Sequence, residues 1–141
     1  MVAATEEYAN GGYTLTNFSN YGDYVTLAAP GRGIYSTMVG GYGKMSGTSM
    51  AAPIVTGIAS MVWSVNPALT AAQVKEILVD TATMPVSGYY DSNVYYMVNA
   101  QAAVEEAVAT AYSNGTAEGR YVDAATGAPL ELTYRVHRNT S

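Results

Sequence analysis

The run KMSGTSMAAP, Lys44 to Pro53, sets one hydroxyl, that of Ser49, at the opening of a long apolar stretch. A serine hydroxyl attacks a carbonyl only when a general base within hydrogen-bond reach takes its proton. It also gains from standing at a helix N-terminus, where unpaired N–H groups and the positive dipole end stabilise a developing oxyanion. Gly47 permits a tight backbone before the serine, and Ala51 and Ala52 leave room beside the hydroxyl. Local features do not separate this chemistry from a bland role, because Ser and Thr at helix starts are most often caps.

The base is the harder residue to find. The chain has one histidine, His137, four residues from its end. Lys44 lies five residues before Ser49, and Ser-Lys pairs are known nucleophile–base couples; an ordinary solvated lysine along a strand is the simpler reading. Glu6, Glu7, Asp23 and Asp80 suggest no close carboxylate pair and read as surface charges. With no cysteine, thiolate catalysis, thiolate metal sites and disulfides are excluded.

Composition bounds the rest. Of 141 residues 49% are hydrophobic and 12% charged, as in a chain that folds around a core. The net charge of −5, with six basic residues and no basic run, argues against a nucleic-acid surface. No apolar stretch is expected to reach the length of a membrane span, and no signal peptide is visible.

Several elements must position the serine. MVAAT, 1–5, is a short apolar run of buried-strand type, and the Asn- and Gly-rich stretch after it reads as loop or hairpin. Tyr24 to Ala28 is strand-like, GIYST at 33–37 is a second short strand, and Gly40, Gly41 and Gly43 mark a turn. From Thr48, a plausible N-cap, a helix apolar on nearly every face runs to Asn66-Pro67 and should be buried in the centre of a domain. Pro53 falls near its first turn, and Gly57 should admit a neighbouring strand closely. A second helix opens with a capping box from Thr70 to Gln73 and buries Val74, Ile77 and Leu78. Residues 85–96 read as loop, and a third helix follows Asn99 as cap. Short strands followed by long helices predict an α/β layered fold. After Asn114-Gly115, two alternating stretches at 116–122 and 130–137 predict a β-hairpin too small to form its own core.

GTSMAAP, residues 47–53, resembles the nucleophile motif of the subtilisin-like (subtilase) serine endopeptidases, Gly-Thr-Ser-Met-Ala-x-Pro opening a central helix. Upstream, TNFSNYGDYVTLAAPGRGIYST is similar to the family's Phe-Ser-x-x-Gly…Ala-Pro-Gly-x-x-Ile-x-Ser-Thr run, and downstream VNAQAAV resembles the helix that closes the catalytic domain. The resemblance covers about residues 1–108. It implies a partial three-layer α/β fold, a parallel sheet flanked by helices, over 1–112. The truncated start of an appended β domain would occupy 113–141.

The resemblance also implies that Ser49 is the nucleophile and that its N–H is one oxyanion donor. The family's chain order, Asp…His…Ser, puts the base and its partner before the serine. Here 48 residues precede Ser49 and none is histidine. The expected function is therefore that of a serine endopeptidase fragment, inactive alone, since loss of the base in subtilisin costs about 10⁶ in rate. Met1 would then be an internal methionine or the start of a broken reading frame. Expected partners are a polypeptide substrate and the N-terminal half of the catalytic domain, with no nucleic acid and no membrane. Exposed sheet edges are expected to invite self-association.

No cofactor or metal is expected. Tyr24 and Thr26 stand where some family members carry the carboxylates of a weak metal site, and Ile54 replaces a histidine that is not the base. The family implies an extracellular or cell-surface enzyme. The alternative is a non-catalytic binding or assembly module derived from such a protease. An esterase fits poorly, because Gly-x-Ser-x-Gly is absent around Ser49.

Overall fold

The computed structural model describes residues 1–113. In chain order these form β1 (Val2–Glu7), β2 (Tyr13–Leu15), β3 (Leu27–Pro30), β4 (Ile34–Met38), β5 (Gly41–Met45), α1 (Thr48–Val65), α2 (Ala71–Asp80), β6 (Met84–Ser87), β7 (Val94–Met97) and α3 (Ala100–Ser113). The expected hairpin at 116–137, His137 and all but the first residue of the appended domain expected at 113–141 lie outside the described residues.

Five strands close into a ring in the order β1-β2-β6-β7-β3. Pairing is parallel for β1–β3, β3–β7 and β2–β6, and antiparallel for β1–β2 and β6–β7. The α/β class holds, but the sheet is mixed where an all-parallel one was expected. Each strand of this sheet has two neighbours, so among the described residues the open strand edges are the outer ones of the separate β4–β5 hairpin.

Strand alternation divides the core in two. Ala4, Leu27 and Ala29 point to the helices and join Ala51, Ile58, Val62, Val74 and Leu78 in one cluster. Ala3 and Ala28 point the other way, into the ring, where they meet Leu15, Val86, Tyr95 and Met97. Thr5 is buried as well, and its hydroxyl donates to Met97 Sδ at 3.7 Å. Alanine at four of these six strand positions keeps the sheet surface shallow, so α1 can lie close against β1 and β3.

The helices begin and end for local reasons. Thr70 Oγ1 accepts from Gln73 N–H at 3.2 Å while Gln73 Oε1 accepts from Thr70 N–H at 2.8 Å, the expected capping box. Val74, Ile77 and Leu78 are the buried stripe of α2, as expected. Asn99 Oδ1 accepts from Ala102 N–H at 3.0 Å and opens α3. Asn66 closes α1 and binds it to α3, its Nδ2 donating to the Ala107 carbonyl at 3.3 Å.

Other expectations fail. Strand β3 starts at Leu27 rather than Tyr24, because Val25 N–H closes a turn onto the Gly22 carbonyl at 3.0 Å and leaves Tyr24 84% exposed. Gly41 and Gly43 are paired strand residues of β5, not turn residues. The loop expected at 85–96 is largely the β6–β7 hairpin.

Helix α1 departs most. It buries Ala51, Ile58 and Val62 but exposes Pro53, Gly57, Ser60, Met61 and Trp63, so it is covered on one side rather than all round. Beyond the helix's own backbone, no heavy atom of the described residues lies within 4 Å of where a Gly57 Cβ would stand, and the close approach expected there does not occur. By length and composition, with a mean hydropathy of 1.3, α1 would also pass for a membrane span, contrary to expectation. Its Ala, Ile, Val and Met content supplies that hydropathy, and its contacts with β1, β3 and α3 are those of a domain helix.

Candidate functional site

Ser49 is the second residue of α1, and its side chain is exposed. The segment before it is fixed at three consecutive residues. Ser46 Oγ accepts from Gly33 N–H at 2.9 Å, Gly47 N–H donates to the Gly31 carbonyl at 2.8 Å, and Thr48 Oγ1 accepts from Asn20 N–H at 3.2 Å. Gly31 is itself held, its N–H donating to the Thr5 carbonyl within β1 at 3.0 Å. The loop before β3 and the turn after it thus converge on the residues leading into the helix.

Gly31 is a glycine for steric reasons. A Cβ there would stand 2.4 Å from the Ala4 Cβ and 3.0 Å from the Gly47 carbonyl oxygen. Gly31, directly after β3, therefore sets how near the serine-bearing segment comes to β1.

Thr48 is not the cap expected of it. Gly47 occupies the N-cap position without a side-chain bond, and Thr48, already helical, turns its hydroxyl to Asn20. Met50 N–H closes the first turn onto the Gly47 carbonyl at 3.0 Å. Pro53 consequently sits beyond the first turn, and having no N–H it leaves the Ser49 carbonyl without its i+4 partner.

The Ser49 hydroxyl makes no hydrogen bond to any described residue, so its local role is not that of a cap. Ala51, fully buried, packs the first turn onto the core while the serine faces outward. This arrangement offers a fixed, exposed hydroxyl beside the unpaired N–H groups of a helix start.

Candidate bases are not brought to it. Lys44 lies on β5 opposite Tyr35, exposed and without a hydrogen-bond partner among the described residues. Glu6 is engaged by Arg32, whose Nη2 donates to Glu6 Oε1 at 3.3 Å; Glu7, Asp23 and Asp80 make no ion pair among the described residues. No described group of three His, Cys, Asp or Glu residues is placed to hold a metal ion. Concavities lie elsewhere, one of about 280 Å³ beside Tyr13, Met84 and Asn99, another of about 430 Å³ between α2 and α3, and a wider, shallow one of about 560 Å³ along Thr37, Met38 and Met45 of the β4–β5 hairpin.

Sequence reasoning missed Ser46, Gly33 and Asn20 as supports of the serine. Their signal was weak: polar or glycine residues in loops, with partners 13 to 28 positions away.

Comparison with known proteins decides the family. A model of the subtilase family, Peptidase S8, matches residues 1–122. This chain belongs to the subtilase family. It is 50% identical over 80 residues to Subtilisin-like protease 1 of Plasmodium berghei, covering 55% of this chain and 13% of that protein. It is 43% identical over 93 residues to the subtilisin of Bacillus pumilus, covering 63% of this chain and 32% of the relative. Among solved structures, a protease of Pseudoalteromonas arctica superposes with TM-score 0.62 at 34% identity, over 75% of this chain and 35% of the other. The subtilase cytotoxin SubAB gives TM-score 0.69 at 27% identity, over 82% and 38%. The chain thus spans about a third or less of the curated subtilases it matches.

Proposed function

We propose that this chain carries the nucleophile of a subtilisin-type serine endopeptidase and that Ser49 is that nucleophile. The observation that carries the reading is the exposed Ser49 hydroxyl at the start of α1, on a segment fixed at Ser46, Gly47 and Thr48. In the reaction a base takes the Ser49 proton as Oγ attacks a peptide carbonyl, giving an oxyanion and then an acyl-enzyme with release of the amine. The Ser49 N–H is placed to donate to that oxyanion.

Among the described residues none serves as the base. No histidine precedes Ser49, and no described group hydrogen-bonds its hydroxyl, so the isolated chain is inactive or nearly so. Its partner is then an N-terminal segment bearing the Asp and His. The open side of α1, with Pro53, Gly57, Ser60 and Met61, is the surface we assign to that segment. The intact enzyme takes polypeptide substrates outside the cell or at its surface. A relative whose name is Halolysin-like extracellular serine protease Nep, from Natrialba magadii, supports that placement at 38% identity over 94 residues.

The test is complementation. The chain is refolded with the part of Bacillus pumilus subtilisin that precedes the matched segment, and peptide hydrolysis is measured. Activity that appears only in the mixture and vanishes with Ser49→Ala supports the proposal. A non-catalytic binding module, the second reading, is favoured by the same uncovered apolar face; it would give a stable complex with no hydrolysis.

A further inference from the structure

The six asparagines of the described residues differ in their C-terminal neighbours. Asn17, Asn20, Asn66, Asn93 and Asn99 precede Phe18, Tyr21, Pro67, Val94 and Ala100, and Asn10 alone precedes a glycine, Gly11. Asn10 is exposed at the tip of the β1–β2 hairpin. Apart from its two chain neighbours, no heavy atom of the described residues lies within 4 Å of where a Gly11 Cβ would stand, and Gly11 has φ of 83°, a backbone state that glycine reaches without steric cost. Gly12 N–H donates to Asn10 Oδ1 at 3.2 Å, so the side-chain amide is folded toward the following backbone with its carbonyl polarised.

We propose that Asn10-Gly11 is a self-modification site, at which the asparagine amide is converted to a carboxylate through a succinimide. Gly11 N–H gives its proton to a solvent base, and the nitrogen attacks Asn10 Cγ. The bond from Cγ to Nδ2 breaks and ammonia leaves with the proton needed. Water then adds to either imide carbonyl, opening the ring to aspartate or to isoaspartate. The net change is asparagine plus water to acid plus ammonia, with no redox step and no cofactor.

The hairpin sets the rate and bears the consequence. Gly11 N–H donates to the Tyr8 carbonyl at 2.9 Å, and Tyr8 N–H donates to the Gly12 carbonyl at 2.6 Å. Attack requires the first of these bonds to open, so conversion depends on fraying of the tip. An isoaspartate adds a main-chain carbon inside this turn, and either product sets a new carboxylate in the turn that follows Glu6 and Glu7 in the chain. The tip loosens while Ala3, Ala4 and Thr5, buried in β1, hold the strand.

The experiment incubates the full chain at mildly alkaline pH and tracks each asparagine by peptide mapping with isoaspartate-resolving fragmentation. Expected is an aspartate–isoaspartate mixture at residue 10, formed in proportion to hydroxide, with Asn17 and Asn20 on the same tryptic peptide still amides. Gly11→Ala should slow conversion by about tenfold or more, because a Cβ shields the nitrogen and disfavours the positive φ. Asn10→Gln should abolish it at that position whatever the substitution does to the turn. The proposal is overturned if residue 10 keeps its amide while Asn114, the residue before Gly115, converts. Equal rates at Asn10, Asn17 and Asn20 would overturn it too, as would an unchanged rate in Gly11→Ala.

Discussion

Gly47 N–H donates to the Gly31 carbonyl at 2.8 Å, and this bond joins the residue before the serine-bearing helix to the turn that ends β3. Gly31 cannot carry a side chain where it stands, with the Ala4 Cβ on one side and the Gly47 carbonyl on the other. The placement of Ser49 thus depends on two glycines and an alanine.

Gly31→Ala should therefore destabilise the fold by about 1–3 kcal/mol, the usual cost of forced overpacking. Urea unfolding would show a lower midpoint with little change in slope. The lesion should also loosen the Gly47 peptide, seen as faster amide exchange at Gly47 than at residues of α2.

Thr70→Ala removes one side of the capping box and should cost about 1 kcal/mol. Thr70→Ser keeps an acceptor for the Gln73 N–H and should recover most of it. Thermal unfolding of the two variants against the parent chain makes the comparison.

Leu15, 1% exposed, fills the interior of the strand ring with Val86, Tyr95 and Met97. Leu15→Ala should cost about 2–5 kcal/mol, because a ring closed on itself cannot collapse onto the cavity. A loss well below that range would mean that the ring relaxes freely.

Arg32→Ala should have a small effect, about 0–1 kcal/mol, since Arg32 pairs with Glu6 at the surface with 46% of its side chain exposed. Any such effect should shrink in high salt. Denaturant midpoints at two ionic strengths would check both statements.

The legible part of the sequence was local. Thr70 with Gln73, the stripe of Val74, Ile77 and Leu78, Asn99 as cap and Asn66-Pro67 as stop are written within a few residues of one another, and all stand as expected. The β6–β7 pairing was not legible, although Tyr95 and Met97 do alternate with exposed neighbours, because tyrosine- and glycine-rich sequence looks like loop until a partner strand is known. Closure of the ring rests on single-pair contacts between Thr14 and Ser87 and between Ala28 and Met97, residues roughly 70 apart in the chain. At the site, the motif gave Ser49 its place, whereas Thr48 was misread because its hydroxyl serves Asn20, a residue from a different loop.

The central claim is that Ser49 is a nucleophile in want of its base, and covalent labelling tests it most directly. The chain is treated with a fluorophosphonate, alone and refolded with the subtilisin segment, and its intact mass is measured with Ser49→Ala as control. The account predicts no adduct on the chain alone and a single adduct in the complex, lost in the variant. A single adduct on the chain alone, lost in Ser49→Ala, would mean that the chain supplies its own base; an active complex labelled elsewhere than Ser49 would mean that the nucleophile is another residue.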